Sequence, residues 1–306
     1  MNGLAGATKQ TQDAKGKILE FMWWLKKKGY REATILTDSQ QLSILAKRSA
    51  NLSDPDSVRA VIANQPWTSS RKSRAVAVYT LFLKMQDQTW EPPIYKPVPQ
   101  IPFIPIEKEV DDLIAGSGRK LSAYLQLLKE TGMRSGEEAQ LKWTDLDFER
   151  NVVKITPEKN SYPRILPLSS KCVMMLKNLK RSGDLMFGRL SCNCMRISLC
   201  NTRKKLARKL NNPRLEQIHF HTIRHWKATT LHHQTRDILH VKQFMGHRRI
   251  ESTLVYVQIE SALFQNMSED FTCKVAQTSD EAKQLIESGF EYVMQKDSLA
   301  YFRKRK

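Results

Sequence analysis

Between Glu91 and Pro105 the chain reads Glu-Pro-Pro-Ile-Tyr-Lys-Pro-Val-Pro-Gln-Ile-Pro-Phe-Ile-Pro, a run that holds six of its twelve prolines. Proline has no amide hydrogen to give, and it pushes the residue before it toward extended backbone. Neither a helix nor a central strand can cross such a run. It is expected to be an extended, semi-rigid connection that cuts the 306 residues into a part before and a part after. The length alone asks for about two domains, since one core serves on the order of 100–200 residues. The expected layout is a helical domain over 1–90, a linker over 91–105, a larger domain over 106–260 and an extension over 261–306.

Periodicity fills in the elements. Before the linker, helices are expected over 13–28, 38–49, 56–63 and 68–87, with Ile18, Met22 and Leu25 on one face of the first and Val76, Tyr79 and Leu83 on one face of the last. After it, Leu121, Tyr124, Leu125 and Leu128 predict a helix that stops at Gly132, and Ser135-Gly-Glu-Glu138 has the form of a capping box that starts another. Strands are expected over 151–156 and 162–168 around a turn, then helices over 170–181, 196–210, 222–233, 236–245 and 250–259. The tail reads strand (271–275), helix (280–292), strand (299–303), a small βαβ-like piece. The fold class is therefore mainly α: an all-α first domain, then an α-rich domain with a small antiparallel sheet.

Charge narrows the partner. Fifty Lys and Arg against 31 Asp and Glu leave +19, which predicts a polyanion, nucleic acid before an acidic membrane. The excess sits unevenly: residues 170–227 hold fourteen basic and two acidic side chains, whereas 257–306 hold seven and eight. No stretch approaches the roughly 18 apolar residues of a membrane span. The opening seventeen residues lack the apolar heart of a signal peptide. The expectation is a cytoplasmic, nucleoid-associated protein with no membrane partner. The five cysteines suit free thiols in such a compartment. Cys192, Cys194 and Cys200 are not spaced like a common zinc finger and have no fourth ligand nearby.

Three segments carry chemistry. In Phe220-His221-Thr-Ile-Arg224-His225, the two histidines stand one helical turn apart as a metal pair would, but Thr222 occupies the place where a zinc protease needs Glu, and Arg224 would repel a metal. The other reading is an Arg and a His aimed together at a phosphate, the Arg offering a planar fork of donors. In Thr131-Gly-Met-Arg134-Ser-Gly-Glu-Glu138, Arg134 sits just ahead of a helix N-terminus, and both favour an anion. In Met245-Gly-His247, the glycine ends a helix, the histidine lies in the turn, and Tyr256 follows nine residues later. A lone tyrosine there is ordinarily a core residue with a satisfied hydroxyl.

Taken together these segments resemble the tyrosine recombinase (phage integrase) family, closely over about 106–260 and in size and position over 10–90. Arg134 stands in the family's Arg box, and Lys159 matches the hairpin Lys ahead of its Arg-x-x-Pro-Leu strand. His221 and Arg224 fill His-x-x-Arg, and Gly246-His247 and Tyr256 complete the set. The resemblance implies a core-binding domain followed by a catalytic domain, and a chain that cuts and rejoins duplex DNA at attachment sites through a 3′-phosphotyrosine. No metal or cofactor is implied, because the phosphotyrosine keeps the energy of the broken bond. Tyr256 would attack, Arg134 and Arg224 would clamp the phosphate, and Lys159 would protonate the leaving 5′-oxygen. His221 would move the tyrosine's proton, and His247 would add a donor. Glu137 resembles the family's supporting acid, with Glu138 as an exposed neighbour. The implied assembly is a homo-oligomer on DNA, a tetrameric synapse, integrating or excising a mobile element. The alternatives are a Xer-type resolvase of chromosome dimers and a catalytically silent DNA-bridging protein. RNA binding through 170–227 lacks stacking aromatic motifs. The hairpin turn carries Asn160 where the family has Gly, and some fifty residues follow Tyr256.

Overall fold

The computed structural model describes residues 2–158, 161–188, 191–264, 271–296 and 298–305. The chain divides between Gln100 and Ile101 into two compact units.

The first unit is four helices, α1 (Asn2–Lys27), α2 (Glu32–Lys47), α3 (Pro55–Asn64) and α4 (Ser69–Met85). Ile18, Phe21 and Leu25 of α1 meet Leu42 and Leu45 of α2, Val58 and Ile62 of α3, and Tyr79 and Phe82 of α4 in one core. Each such side chain contributes about 1.5–3 kcal/mol on leaving water. Asp54 and Thr68 start α3 and α4 by accepting the amides of Asp56 and Arg71. Trp90 stands edge-on to Tyr79 at 4.9 Å and Tyr95 packs on the same core, so the proline run begins as part of this unit. The first helix starts well before residue 13. Among the described side chains of α1, Ile18 is the first that is buried.

The second unit opens with Phe103 and Ile104 packed on its core. It continues through α5 (Glu107–Ala115), α6 (Arg119–Thr131), α7 (Ser135–Ala139), strands β1 (Leu146–Asp147), β2 (Val152–Ile155) and β3 (Arg164–Pro167), then α8 (Ser170–Lys177), α9 (Ser191–Lys209), α10 (Phe220–Thr235), α11 (Ile238–Met245) and α12 (Glu251–Phe264). Helix α6 is buried nearly all round, and Tyr124 on it touches the rings of Phe187 and Phe220, each at 4.9 Å. The strands form an antiparallel sheet in the order β1-β2-β3. Arg164 pairs with Ile155. Paired residues share a face, and Ile155 is buried, so the register carries an arginine inward. A smaller core of Ala228, Leu231, Val241, Met245, Tyr256 and Ile259 joins α10, α11 and α12. Among the described residues, no helix is long and apolar enough to cross a membrane.

The tail is built differently from the expected βαβ-like piece. It comprises β4 (Phe271–Ala276), α13 (Ser279–Glu287), β5 (Glu291–Lys296) and β6 (Leu299–Arg305), antiparallel in the order β4-β6-β5. The helix stops five residues before Tyr292 because Gly289 takes a left-handed φ of 81° and the Phe290 amide turns back to the Leu285 carbonyl. The residues after it are then free to form a strand, where the sequence pattern alone predicts more helix.

Candidate active site

Two glycine stops present the central groups. Gly132 ends α6 with φ 57° and Gly246 ends α11 with φ 67°, and only glycine takes this conformation at no steric cost. The Gly246 amide returns to Gln243 and the His247 amide to Lys242, which closes α11 and turns His247 inward. The Ser161 end of the hairpin pairs with this turn: the Tyr162 amide donates to the Gly246 carbonyl at 3.1 Å, and Ser161 bridges to His247.

Arg224, on α10, is the best-held member. It is 1% exposed. Its Nη1 donates to the Gly132 carbonyl at 2.5 Å, and its Nη2 to the Met245 carbonyl at 2.7 Å and His247 Nε2 at 2.8 Å. Both glycine stops are thus tied to one guanidinium. Burial, with Arg134 adding repulsion, lowers its pKa to about 9. Because arginine only donates, His247 Nε2 must accept. The ring's proton is then on Nδ1, directed to Thr253 Oγ1 at 2.9 Å. Burial and the neighbouring guanidiniums hold the His247 pKa down at about 3, so the ring is neutral and, as placed, positions Arg224 rather than offering a phosphate donor.

Arg134 caps α7. The capping box lies one residue earlier than the sequence suggests: Arg134 is extended and its amide donates to Glu137 Oε2 at 2.9 Å, leaving Ser135 inside the helix. Glu137 is a hub. It accepts from Arg134 Nη1 at 3.3 Å, from Ser161 Oγ at 3.0 Å and from Arg164 Nη2 at 2.7 Å, and Arg134 also donates to Ser161 Oγ. Burial would raise the Glu137 pKa, but Arg164 and the Arg134 amide overcome it and bring it to about 2. Glu138, expected to be exposed, is 0% exposed, because the short α7 is packed against α6 and α9.

Tyr256 is 2% exposed, in the core of α10, α11 and α12. Its hydroxyl lies 3.0 Å from His225 Nδ1. The ring that reaches the tyrosine is therefore His225. His221, one turn earlier, stands edge-on to His225 with centroids 4.4 Å apart. Burial, then His221 and Arg224, lowers the His225 pKa to about 4, so it is neutral and able to accept. Burial raises the Tyr256 pKa while Arg224 and Arg134 pull it down. Tyr256 is packed, and its hydroxyl has a partner under the influence of two guanidiniums. Lys159, with Asn160, lies outside the described residues.

The structure thus brings Arg134, His221, Arg224, His247 and Tyr256 into one region. It adds Arg164, Ser161 and His225, to which the motifs alone assign no role. The signals for them are the strand alternation that turns Arg164 inward and the i, i+4 spacing of His221 and His225. Beside this centre a cavity of about 340 Å³ is lined by Ser135, Arg196, Cys200, Arg203, His219 and His221 among others.

The array sets guanidiniums and neutral imidazoles beside a buried phenol. The chain matches the model of the phage integrase family over residues 107–262, half of its length, and it belongs to that family. It is 31% identical over 169 residues to a tyrosine recombinase of Pseudothermotoga lettingae, a match covering 52% of this chain and 57% of that protein. It is 27% identical over 227 residues to the tyrosine recombinase XerC of Bacillus subtilis, covering 65% and 72%. Its fold is similar to that of a lambda integrase dimer bound to a COC′ core site, with TM-score 0.60 and 13% identity over 79% of this chain and 76% of that one. The chain spans little more than half the length of the first of these relatives.

Proposed function

We propose that this chain is a site-specific DNA recombinase that cuts and rejoins duplex DNA through Tyr256. The observation that carries the reading is the Tyr256 hydroxyl, hydrogen-bonded to a neutral His225 beside Arg224 and Arg134. A neutral phenol is a poor nucleophile, and burial here makes the free phenolate scarcer still. The proton must leave as the bond forms, and His225 Nδ1 is placed to receive it. The Tyr256 oxygen bonds to phosphorus, the bond to the 5′-oxygen breaks, and Lys159 returns a proton to that oxygen. The 3′ end is left as a phosphotyrosine, and a new 5′-hydroxyl reverses the step. Arg134 and Arg224 neutralise the oxygens of the five-coordinate state, where a single well-placed donor is worth about 10²–10³ in rate. The basic 170–227 region supplies phosphate contacts, and the working form is an oligomer on DNA, a tetrameric synapse.

The finer reading is an integrase that moves a mobile element between attachment sites. A second reading, resolution of chromosome dimers, is favoured by the likeness to XerC. The test uses a nicked suicide duplex with EDTA present throughout. The parent chain should become covalently joined to DNA, and Tyr256→Phe should bind equally well and form no adduct. Adducts in the Phe variant would move the nucleophile elsewhere. Sequencing the covalent junctions in cells separates the two roles: paired ends flanking an element mark an integrase, and one chromosomal palindrome a resolvase.

A further inference from the structure

Helices α10 and α12 meet at two polar rungs. One is the His225–Tyr256 contact. The other lies one turn further along α12, where Glu260 is 2% exposed. Its Oε1 is 2.7 Å from His233 Nδ1 and its Oε2 is 2.5 Å from Arg236 Nη1. His233 is also stacked on Phe264 of α12, with centroids 3.8 Å apart and planes 13° from parallel. Arg236 is the left-handed residue that closes α10, with φ 53°. One carboxylate thus fastens α12 to the closing turn of the helix that carries His221, Arg224 and His225.

A buried carboxylate is costly unless paired, and here each of its oxygens has a partner. Hydrophobic packing of Ile259 and Val255 alone would let α12 slide or rotate by a fraction of a residue, because apolar contact has little directionality. Two donors on one carboxylate forbid that slide. The register they fix is the register of Tyr256, four residues earlier on the same helix.

We infer that Glu260 is a positioning residue: its clasp on His233 and Arg236 holds the Tyr256 hydroxyl at His225 and in line with the phosphate. The inference rests on Tyr256 being the nucleophile, which the Phe variant tests separately. It goes beyond that reading, because Glu260 is buried and its partners are His233 and Arg236.

The experiment is single-turnover adduct formation on a suicide duplex at saturating DNA, with folding of each variant checked by thermal unfolding. Glu260→Ala should slow adduct formation by roughly 10- to 100-fold, the scale of a misplacement of about 1 Å, with DNA affinity within about twofold. Glu260→Gln should restore most of the rate, because the amide keeps the shape of the carboxylate and an oxygen that accepts from Arg236. A substrate with a bridging 5′-sulfur, whose leaving group needs no acid, should leave the Ala defect in place. Such a substrate would rescue a fault in leaving-group protonation but not a misplaced nucleophile. An Ala rate within twofold of the parent overturns the inference, as does a defect erased by the sulfur substrate or one that Gln fails to relieve. If Glu260→Ala does not fold, Arg236→Ala, which removes only the more exposed partner, serves instead. A rate several-fold slower supports the clasp, and an unchanged rate overturns it.

Discussion

Replacing Arg224 by Lys keeps the charge and removes the fork. In the structure one guanidinium nitrogen serves the Gly132 carbonyl while the other serves the Met245 carbonyl and His247 Nε2. A single ammonium cannot stand at both places, so at least one of these acceptors, in a site that excludes water, loses its donor. A hydrogen bond from a charged group is worth about 1.5–3 kcal/mol, and an orphaned buried acceptor costs a similar amount. The loss should be about 3 kcal/mol. For a unit of this size each kcal/mol moves Tm by about 2–4 °C, so the transition of the 101–306 unit should fall by roughly 6–12 °C. The first unit, with its own core, should unfold as before and serves as the internal control. At a temperature where Arg224→Lys is folded, adduct formation should still be down by about 10²–10³. Differential scanning calorimetry gives the first number and single-turnover trapping the second. A Tm within about 2 °C of the parent would refute the claim that Arg224 ties the two glycine stops together.

Three further outcomes are expected. His225→Phe keeps the ring's packing and removes the acceptor of the tyrosine proton, so trapping should slow by about 10²-fold or more, with His221→Phe less severe; the reverse order would return the proton-transfer role to His221. Gly246→Ala places a Cβ 2.7 Å from Arg164 Nη1 and 3.1 Å from the Tyr162 carbonyl at a φ of 67°, and should cost about 1–3 kcal/mol, read as a lower urea midpoint; an unchanged midpoint would show that the turn relaxes freely. Acid should destabilise the second unit from about pH 6.5 downward. His225 and His247 have pKa values lowered from 6.5 to about 4 and about 3, so the unfolded chain takes up protons that the folded one refuses. Each ring contributes a slope of up to about 1.4 kcal/mol per pH unit. Glu137, lowered from 4.5 to about 2, adds stability that is complete above pH 4.5 and lost as pH falls through 2. Urea midpoints equal at pH 7 and pH 5 would contradict the neutral, buried state of both rings.

What is legible in the sequence is whatever local chemistry dictates. The proline run forbids a crossing element, the glycines at 132 and 246 stop helices, and Arg134, His221, Arg224, His247 and Tyr256 stand in recognisable short patterns. What stays hidden depends on distance in space. Nothing local says that His225 rather than His221 faces Tyr256, because both lie on the same face of α10 and the choice is made by where α12 packs. Nothing local says that Glu138 is buried, since α7 is too short to show a periodic face. The tail misleads for a related reason: Gly289 looks like one glycine within a helical run, and only the left-handed turn it makes there separates α13 from β5.

The pocket's charges explain why it should favour a transition state over a resting phosphate. Arg134, Arg164 and Arg224 surround one carboxylate, Glu137, and burial together with that same cationic excess holds the imidazoles beside them neutral. The mutual repulsion is visible in Arg224, whose pKa burial and Arg134 bring down to about 9. In the proposed reaction a phosphodiester would bring one negative charge to relieve it, and the five-coordinate state formed by attack of Tyr256 would bring more. Stabilisation that grows along the reaction coordinate is what accelerates a step, whereas equal binding of both states does not. Glu137 keeps two of the cations, Arg134 and Arg164, in place without cancelling the third. The clasp at Glu260 would then serve a narrow purpose. It would keep the one neutral reactant, the Tyr256 hydroxyl, at the edge of a field that rewards its ionisation only when phosphorus is there to share the charge.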